Sequence, residues 1–151
     1  MTIELVTGDL LAARVDALVN PVNTVGVMGK GLALQFKKAF PDVFREYARA
    51  CRAGEVVIGK MHVVPRQAAP RFVINFPTKQ HWKNPSKLEF VRAGLVDLVA
   101  QVQALGIESL ALPPLGCGLG GLDWRDVKPE IIKAFAPCQT VRVMLFEPSS
   151  V

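Results

Sequence analysis

Residues 109–124 read SLALPPLGCGLGGLDW, and the rest of the chain is organised around this stretch. A short apolar run ends at two prolines, which central strands do not tolerate, and four glycines follow between positions 116 and 121. A helix is predicted next, because Asp123 suits an N-cap and apolar residues recur behind it at helical spacing: Trp124, Val127, Ile131, Ile132 and Phe135. A glycine loop followed by a helix start offers free backbone N–H groups and a partial positive charge. We therefore expect this loop to bind a phosphate or diphosphate.

Two other interpretations of this loop stay open. Residues 116–121 also match the G-x-G-x-x-G pattern, and the next strand ends near Glu147, where a dinucleotide-binding fold places its ribose-binding acid. A lone match is weak, and this one lies near the end of the sequence. The loop can also be a tight turn with no ligand.

The composition predicts one globular domain. The sequence has 151 residues, half of them apolar, and we assign 1–151 to a single domain. No apolar run has the length of a membrane span and the first residues lack a signal-type pattern, so we expect a cytoplasmic protein without membrane contact. Three cysteines and two histidines show no metal-type spacing, which predicts free thiols, no metal and no cofactor.

The chain is basic, with 18 Lys and Arg against 13 Asp and Glu and a net charge of +5. Much of the excess falls in residues 30–52 and 66–92. Such an excess favours acidic partners, for example nucleotides or nucleic acid. Solvated helical faces also explain many of these charges.

A second glycine-rich loop follows an earlier strand. An apolar run ends in NPVN at 20–23, and TVGVMGKG at 24–31 then leads into an amphipathic helix. This is not a Walker A loop, because its lysine is followed by glycine rather than by Ser or Thr. Asn20 and Asn23 can bind sugar hydroxyls, although asparagine in a turn often serves only the backbone. Two strand ends that each lead into a glycine loop and a helix suit an elongated phosphorylated ligand.

The remaining periodicities complete an α/β pattern. Strands are predicted at 3–6, 17–19, 61–65, 71–76 and 141–146, and helices at 42–52 and 88–105. Ser86 and Glu89 predict a capping box for the second of these helices. His62 alternates with apolar neighbours, as a surface or hydrogen-bonded strand histidine does. With helices for both faces, we predict an α/β fold, a three-layer α/β/α sandwich on a mixed sheet.

Two further polar positions follow strands. Asp9 comes directly after the first strand and a glycine, which predicts a turn or cap residue, with a hydrogen bond to an exocyclic amine as the functional alternative. The polar segment 77–85 is predicted as a loop that leaves a buried strand. Such loops carry function more often than the elements beside them.

Three ordered motifs resemble those of the macrodomain family, whose members bind ADP-ribose. They are GDL at 8–10, NPVN at 20–23 with MGKG at 28–31, and LGCGLGG at 115–121. Together they extend over nearly the whole chain. FPTK at 76–79, followed by His81 and Trp82, is similar to the branch that contains terminal ADP-ribose protein glycohydrolase and DarG-type antitoxins.

The resemblance implies a site for ADP-ribose. Asp9 would hydrogen-bond the adenine amine beside the N–H of Leu10, and Phe146 would pack on the ring. The diphosphate would be held by backbone N–H groups of Gly116, Cys117, Gly118, Leu119 and Gly120. The distal ribose and its surroundings would be contacted by Asn20, Asn23, Met28, Gly29, Lys30, Gly31 and Thr78.

The resemblance also implies that Lys79 is the catalytic residue, acting at the anomeric carbon of the distal ribose. A lysine amine is a nucleophile only when neutral, and burial or a nearby cation such as Lys83 would favour that form. The amine could instead assist departure of the attached group by electrostatics and proton transfer. Gly120 stands where the protein glycohydrolase has an acidic residue that helps resolve a lysine adduct. This difference moves the resemblance toward the DarG-type antitoxins.

DarG-type antitoxins remove ADP-ribose from nucleobases of single-stranded DNA, so the resemblance implies a hydrolase that reverses a partner DNA ADP-ribosyltransferase toxin. His81, Trp82 and Lys83 are implied nucleic-acid contacts, since a basic groove with an aromatic ring can hold unpaired bases. Packing of Trp82 under the loop is the structural alternative. Three other functions stay open: hydrolysis of ADP-ribose esters on proteins or small molecules, non-catalytic binding of ADP-ribose, and, more distantly, an NAD-dependent dehydrogenase.

Overall fold

The computed structural model describes residues 2–148, which form one mixed sheet with helices. The strands are β1 (Thr2–Val6), β2 (Ala17–Asn23), β3 (His62–Pro65), β4 (Phe72–Lys79), β5 (Ser109–Leu112) and β6 (Arg142–Phe146). The helices are α1 (Gly31–Ala39), α2 (Pro41–Arg52), α3 (Leu88–Ala104) and α4 (Trp124–Phe135), with short 3₁₀ turns at Leu10–Ala12 and Gly118–Gly120. The sheet order is β1-β6-β5-β2-β4-β3. Every neighbouring pair is parallel except β3 with β4, so the predicted mixed sheet is confirmed.

Both faces of the sheet are buried, as the predicted three layers require. Along β2, Ala17 and Val19 pack into a core with α3 and α4, whereas Leu18 between them packs into a second core with α1 and α2. Successive side chains of a strand point to opposite faces, so a run of apolar residues is buried on both sides. The helices therefore form the two outer layers of an α/β/α sandwich.

Two strands are longer than predicted, because both continue through a proline. β2 runs past Pro21 to Asn23, and β4 runs past Pro77 to Lys79. The pairing of β2 with β5 ends at Leu18, and that of β4 with β3 covers β4 only as far as Asn75. Beyond those points each strand has one open side, where a missing N–H costs no ladder hydrogen bond. The paired segments 21–23 and 76–79 form a two-stranded extension that we call the projecting ribbon.

The helix starts are partly as predicted. Asp123 caps α4 and its side chain accepts a hydrogen bond from Arg125 N, which confirms that N-cap. The capping box of Ser86 and Glu89 is wrong, because α3 begins at Leu88 and Lys87 occupies the cap position without a side-chain hydrogen bond. The backbone N–H of Ser86 donates instead to Gly120 O at 2.9 Å. This bond ties residue 86 to the second glycine loop and leaves it outside the helix.

The parallel arrangement gathers the loops of interest at one edge. β2 and β5 are neighbours, so the glycine loops that follow them meet although they are far apart in sequence. β4 lies on the other side of β2, and the polar segment after Lys79 joins the same edge. Carboxyl ends of parallel strands are where open α/β sheets bind ligands. Within residues 2–148, no helix has the length and apolar character needed to cross a membrane.

Candidate functional site

Two adjoining cavities occupy this edge of the sheet. The larger has a volume of about 720 Å³ and the smaller about 210 Å³. Leu32, Pro113 and Pro114 line both, so the two cavities adjoin at these residues. Sites for small ligands have volumes of roughly 300–1,000 Å³, and the larger cavity falls within that range. Of the predicted binding residues, the larger cavity is lined by Asn23, Gly29, Lys30, Gly31, Thr78, Lys79, Trp82, Lys83, Gly116, Cys117, Gly118, Leu119 and Gly120.

The second glycine loop presents free backbone donors to the larger cavity. The N–H groups of Gly116, Gly118 and Leu119 donate to no group within residues 2–148. The N–H of Cys117, by contrast, donates to Pro114 O at 3.1 Å. Burial, with a smaller contribution from Asp123, raises the pKa of the Cys117 thiol to about 11, so this side chain is neutral at physiological pH. The loop therefore holds several free N–H donors, and its thiol adds no negative charge.

The first turn of α1 adds donors from the opposite wall. Lys30 occupies the cap position of α1 without a side-chain hydrogen bond to the helix. The first backbone hydrogen bond into α1 runs from Leu34 N to Lys30 O at 3.3 Å, so the preceding N–H groups of Gly31, Leu32 and Ala33 stay available. These residues line the larger cavity. An uncapped helix start is suited to an anion.

Leu119 closes the gap between the two glycine loops. Its side chain is 67% exposed, and its Cδ1 atom lies 3.3 Å from the position that a Cβ atom on Gly31 would take. Gly31 has φ of +59°, which side chains rarely adopt. A side chain at position 31 would therefore meet both a strained backbone angle and a close approach by Leu119.

Lys79, the last residue of β4, lies in the wall of the larger cavity. Its Nζ atom donates to Trp82 O at 3.2 Å. Burial lowers the pKa of Lys79 from its ordinary value, and it is the only cause of the shift. The expected contribution of Lys83 to that pKa shift is absent.

Trp82 is exposed at the rim of the cavity rather than packed under the loop. The indole is 46% exposed, the His81 ring centroid lies 5.0 Å from it, and Lys83 Nζ lies 4.9 Å from the ring centroid. The N–H of Lys83 donates to His81 Nδ1 at 3.1 Å, which fixes the turn. Trp82 and Lys83 line the cavity, whereas His81 packs behind the indole.

Asn23 organises the first glycine loop from within. Its Nδ2 donates to Val27 O at 2.8 Å, and its Oδ1 accepts from Val25 N at 3.1 Å. The buried Tyr47 hydroxyl lies 2.8 Å from both Asn23 O and Asn23 Oδ1. The side-chain amide of Asn23 is thus occupied by hydrogen bonds within the loop. The residue still lines the larger cavity as part of its wall.

Asn20 and Met28 were expected at the ligand but line neither cavity. Both are fully buried beneath the loop, where Asn20 Nδ2 donates to Asn75 Oδ1 at 3.1 Å and approaches Met28 Sδ at 3.8 Å. The Asn75 amide lies 3.0 Å from His62 Nδ1, and His62 Nε2 lies 3.6 Å from Glu46 Oε1. His62 is therefore a hydrogen-bonded strand histidine, as predicted. Asn75 was not predicted from the sequence as a support of the site. A polar amide within the apolar run FVINF at 72–76 could have indicated such a role.

The smaller cavity contains the three residues predicted for the adenine end. Asp9, Leu10 and Phe146 all line it. Asp9 caps the first 3₁₀ turn, with Leu11 N donating to its Oδ1 at 3.0 Å, so the predicted cap role is confirmed. Leu10 and Phe146 are largely buried and give this end an apolar floor.

Ser86 packs against the back of the second glycine loop. A Cβ atom on Gly120 would clash with Ser86 Oγ, and a Cβ atom on Gly116 would lie 3.3 Å from Ser86 Cβ. The Ser86 hydroxyl is buried and has no hydrogen-bond partner among the described residues. The serine therefore excludes any side chain at position 120. Neither Ser86 nor Tyr47 was predicted to shape the site, since a lone Ser or Tyr carries no pattern.

No group of three or more metal-ligating side chains occurs in residues 2–148. The three cysteines are free thiols, as predicted. The cavity donors are backbone N–H groups, amides and lysines, which suit an anionic ligand rather than a cation.

Known sequences resemble this chain over most of its length. A model of the macro domain matches residues 19–131. A DNA ADP-ribosyl glycohydrolase of Thermus aquaticus is 54% identical over 145 residues, which are 95% of this chain and 40% of the relative. A DNA ADP-ribosyl transferase-DNA ADP-ribosyl glycohydrolase fusion protein of Thermosipho africanus is 40% identical, over 84% of this chain and 37% of the relative. The chain thus spans about two fifths of the length of these curated relatives.

Solved structures share the fold closely. The macrodomain of Mycobacterium tuberculosis DarG superposes with a TM-score of 0.96 at 51% identity, over 98% of this chain and 99% of that one. Thermosipho africanus DarTG in complex with ADP-ribose gives a TM-score of 0.92 at 36% identity, over 99% of this chain and 43% of that one. With the family model, these likenesses show that the chain belongs to the macrodomain family.

Proposed function

We propose that this chain is an ADP-ribosyl hydrolase that releases ADP-ribose from nucleobases of single-stranded DNA, with Lys79 as its catalytic residue. The observation that carries the proposal is a partly buried amine of lowered pKa in the wall of a cavity with two sets of free N–H donors. Relatives named DNA ADP-ribosyl glycohydrolase, and a DarTG structure named as a complex with ADP-ribose, support the substrate class.

The two adjoining cavities suggest how ADP-ribose would bind. The adenine would enter the smaller cavity, where Asp9 offers a carboxylate to its amine and Phe146 packs on the ring. The diphosphate would accept hydrogen bonds from Gly118 and Leu119 and from the first turn of α1. Backbone N–H groups carry no full charge, so binding an anion does not require a cation to lose its hydration. The second glycine loop and the first turn of α1 could both donate to the same anion. The distal ribose would then lie toward Lys79.

At the distal ribose, Lys79 would act on the anomeric carbon. The neutral amine would attack this carbon as the bond to the nucleobase breaks, and the base would leave with the electron pair and take up a proton. Water would then attack the same carbon and release ADP-ribose and the free amine. Alternatively, Lys79 would donate a proton to the departing base while water attacks directly. Gly120 supplies no carboxylate at position 120, so neither route has an acidic side chain there to assist Lys79.

Exposed groups at the cavity mouth suit a nucleic-acid substrate. Trp82 offers a ring on which an unpaired base can stack, and Lys83 offers an ammonium to a neighbouring phosphate. His81 supports the indole from behind. A protein ester has no base to stack and no phosphate next to the modified group.

We further propose that this activity serves as the antitoxin of a DNA ADP-ribosyltransferase toxin. The relative named as a transferase–glycohydrolase fusion joins both activities in one chain and supports this pairing. The substrate of the hydrolase would then be the product of that transferase.

The test compares substrates and variants. A single-stranded oligonucleotide ADP-ribosylated on one base and a protein ADP-ribosylated on glutamate are incubated with the wild type, Lys79→Ala, and Lys133→Ala as a control on an exposed lysine of α4. The expected result is release of ADP-ribose from DNA by the wild type and by Lys133→Ala, and a loss of at least about a hundredfold for Lys79→Ala. Lys79→Ala should keep its affinity for free ADP-ribose, which calorimetry measures.

Two outcomes would overturn the proposal. Release only from the protein would establish the ester hydrolase instead. Tight binding of ADP-ribose without release from either substrate would make the chain a non-catalytic binder.

A further inference from the structure

A second pair of lysine and aromatic side chains lies next to Trp82 and Lys83 along the same segment. Lys87 Nζ lies 5.4 Å from the centroid of the Phe90 ring, much as Lys83 Nζ lies 4.9 Å from that of Trp82. Both lysines are exposed, and Phe90 is partly exposed. No salt bridge engages Lys83 or Lys87 within residues 2–148, and Glu89 in the same turn pairs with neither.

The segment between the two pairs is fixed to the cavity. Lys83 lines the larger cavity, and Ser86 N donates to Gly120 O in the second glycine loop at 2.9 Å. The N–H of Phe90 donates to Lys87 O at 3.0 Å, so the second pair belongs to a formed helical turn. The Lys87–Phe90 pair therefore has a set position next to the second glycine loop.

We infer that Lys87 and Phe90 form a subsite for a nucleotide that flanks the modified base of a single-stranded DNA. This inference rests on the proposed function and extends it beyond the cavity. The ammonium of Lys87 would pair with a backbone phosphate, and the flanking base would stack on the Phe90 ring once the lysine has turned to the phosphate. Repeated pairs of a cation and an aromatic ring are how proteins follow a single strand without reading its sequence.

The charge pattern favours nucleic acid over an acidic peptide. An acidic peptide needs cations alone, whereas here each exposed lysine sits over a ring that can stack a base. Among the carboxylates of this surface, Glu130 binds Arg92 and Asp123 binds Arg125, whereas Glu89 forms no ion pair within residues 2–148. Lys83 and Lys87 are likewise in no ion pair within residues 2–148, so their two ammonium groups are available to phosphates beside the single carboxylate of Glu89.

The test measures binding and hydrolysis separately. Fluorescence anisotropy follows a labelled, unmodified single-stranded oligonucleotide of about 15 nucleotides, near the upper end of typical site sizes for single strands. Lys87→Gln is compared with Lys38→Gln, which makes the same charge change at an exposed lysine near the end of α1. Phe90→Leu tests the ring, because leucine keeps the apolar contact of the partly buried side. Hydrolysis is measured on a modified oligonucleotide and on a single ADP-ribosylated nucleoside.

Lys87→Gln should weaken binding about fivefold at 0.1 M salt and reduce the slope of log K against log salt by about 0.7, because one phosphate contact is lost. Phe90→Leu should weaken binding about fivefold with little change in that slope. On the modified oligonucleotide, KM should rise by a similar factor in both variants. The single nucleoside should be hydrolysed as by the wild type, since it does not reach the subsite.

The outcomes separate the inference from the proposed function. If Lys87→Gln binds the oligonucleotide as Lys38→Gln does, the subsite is disproved even if hydrolysis is intact. If binding depends on Lys87 but the wild type releases no ADP-ribose from DNA, the proposed function fails and the subsite stands as a single-strand binding surface.

Discussion

Burial distinguishes Lys79 from the other lysines around the larger cavity. Lys30 and Lys83 are exposed, whereas Lys79 is partly buried at the end of β4 and donates to Trp82 O. Desolvation disfavours the charged form of an amine, and it lowers the pKa of Lys79. The lowered pKa of Lys79 favours the neutral amine and makes its proton easier to transfer, as the proposed reaction needs.

If Lys79 acts as a neutral nucleophile, hydrolysis should increase with pH and level off at a pH below 10.5, the ordinary pKa of lysine. The sign follows from the lowered pKa, because the neutral fraction grows as pH rises toward that pKa. Lys79→Arg should then be as inactive as Lys79→Ala, since arginine stays protonated. Initial rates between pH 6 and pH 10 provide the measurement. A near wild-type rate in Lys79→Arg would show that only the positive charge matters.

Gly120 and Ser86 should be energetically coupled. Gly120→Ala places a Cβ against Ser86 Oγ, and we expect it to lower the free energy of unfolding by about 1–3 kcal/mol and to weaken ADP-ribose binding. Ser86→Ala removes a buried hydroxyl without a partner, so it should leave stability unchanged or raise it by about 1 kcal/mol. Urea titrations of both variants and the double variant complete a cycle. Strict additivity of the two effects would contradict the packing described here.

At the scale of elements, the loop between β2 and α1 depends on a buried side-chain hub. Asn23 holds the loop by its amide, and Tyr47 of α2 holds Asn23 by its hydroxyl. The hydroxyl is fully buried, and burial raises the pKa of Tyr47 well above its ordinary value. α2 thus stabilises a binding loop that it does not itself belong to.

Tyr47→Phe should loosen this loop without disturbing the core. The change removes one hydroxyl in contact with two acceptors and keeps the ring, so we expect a loss of about 1–3 kcal/mol in the free energy of unfolding. ADP-ribose affinity should fall severalfold because the donors at the start of α1 lose their fixed position. Urea denaturation and calorimetry measure the two effects. Unchanged affinity at reduced stability would show that the loop is held by its own backbone.

The elements that sequence reasoning predicted are those with strong local signals. The glycine loop at 116–121 and the helix capped by Asp123 follow from residue types alone. The continuation of β2 through Pro21 does not, because it depends on where neighbouring strands stop. The hydrogen bond from Ser86 to Gly120 could not be predicted from the sequence either, because only the order of strands in the sheet brings these two segments together. Most residues that line the cavities could be named from the sequence. The residues behind them, Tyr47, Asn75 and Ser86, could not.

At the scale of the whole molecule, a polar chain crosses the layer between sheet and α2. It runs from Asn20 through Asn75 and His62 to Glu46 at the surface. Burial lowers the pKa of His62, against the opposing effect of Glu46. Neutral His62 can accept from the Asn75 amide, whereas the protonated ring cannot.

Global stability should therefore fall as the pH is lowered below about 6.5, the ordinary pKa of histidine. The pKa of His62 is lower in the folded protein than in the unfolded chain, so the unfolded chain binds the proton first as the pH falls. The free energy of unfolding therefore decreases until the pH reaches the folded-state pKa. Thermal melts between pH 5 and pH 8 measure this. The decline should be smaller in His62→Gln, while His81→Gln, the only other histidine, should retain it. Equal declines in all three proteins would assign the effect to carboxylates.

The projecting ribbon of residues 21–23 and 76–79 has a dynamic consequence. Each of its strands pairs only with the other, and a proline interrupts each one, so its backbone is held by fewer hydrogen bonds than the base of the sheet. Its amide hydrogens should exchange with deuterium faster than those of Leu18 or Val73, through openings that leave the rest of the sheet intact. Lys79 thus lies on a segment that we expect to open locally, at a lower free-energy cost than the rest of the sheet. A bound ligand that joins both glycine loops across it would slow that exchange selectively.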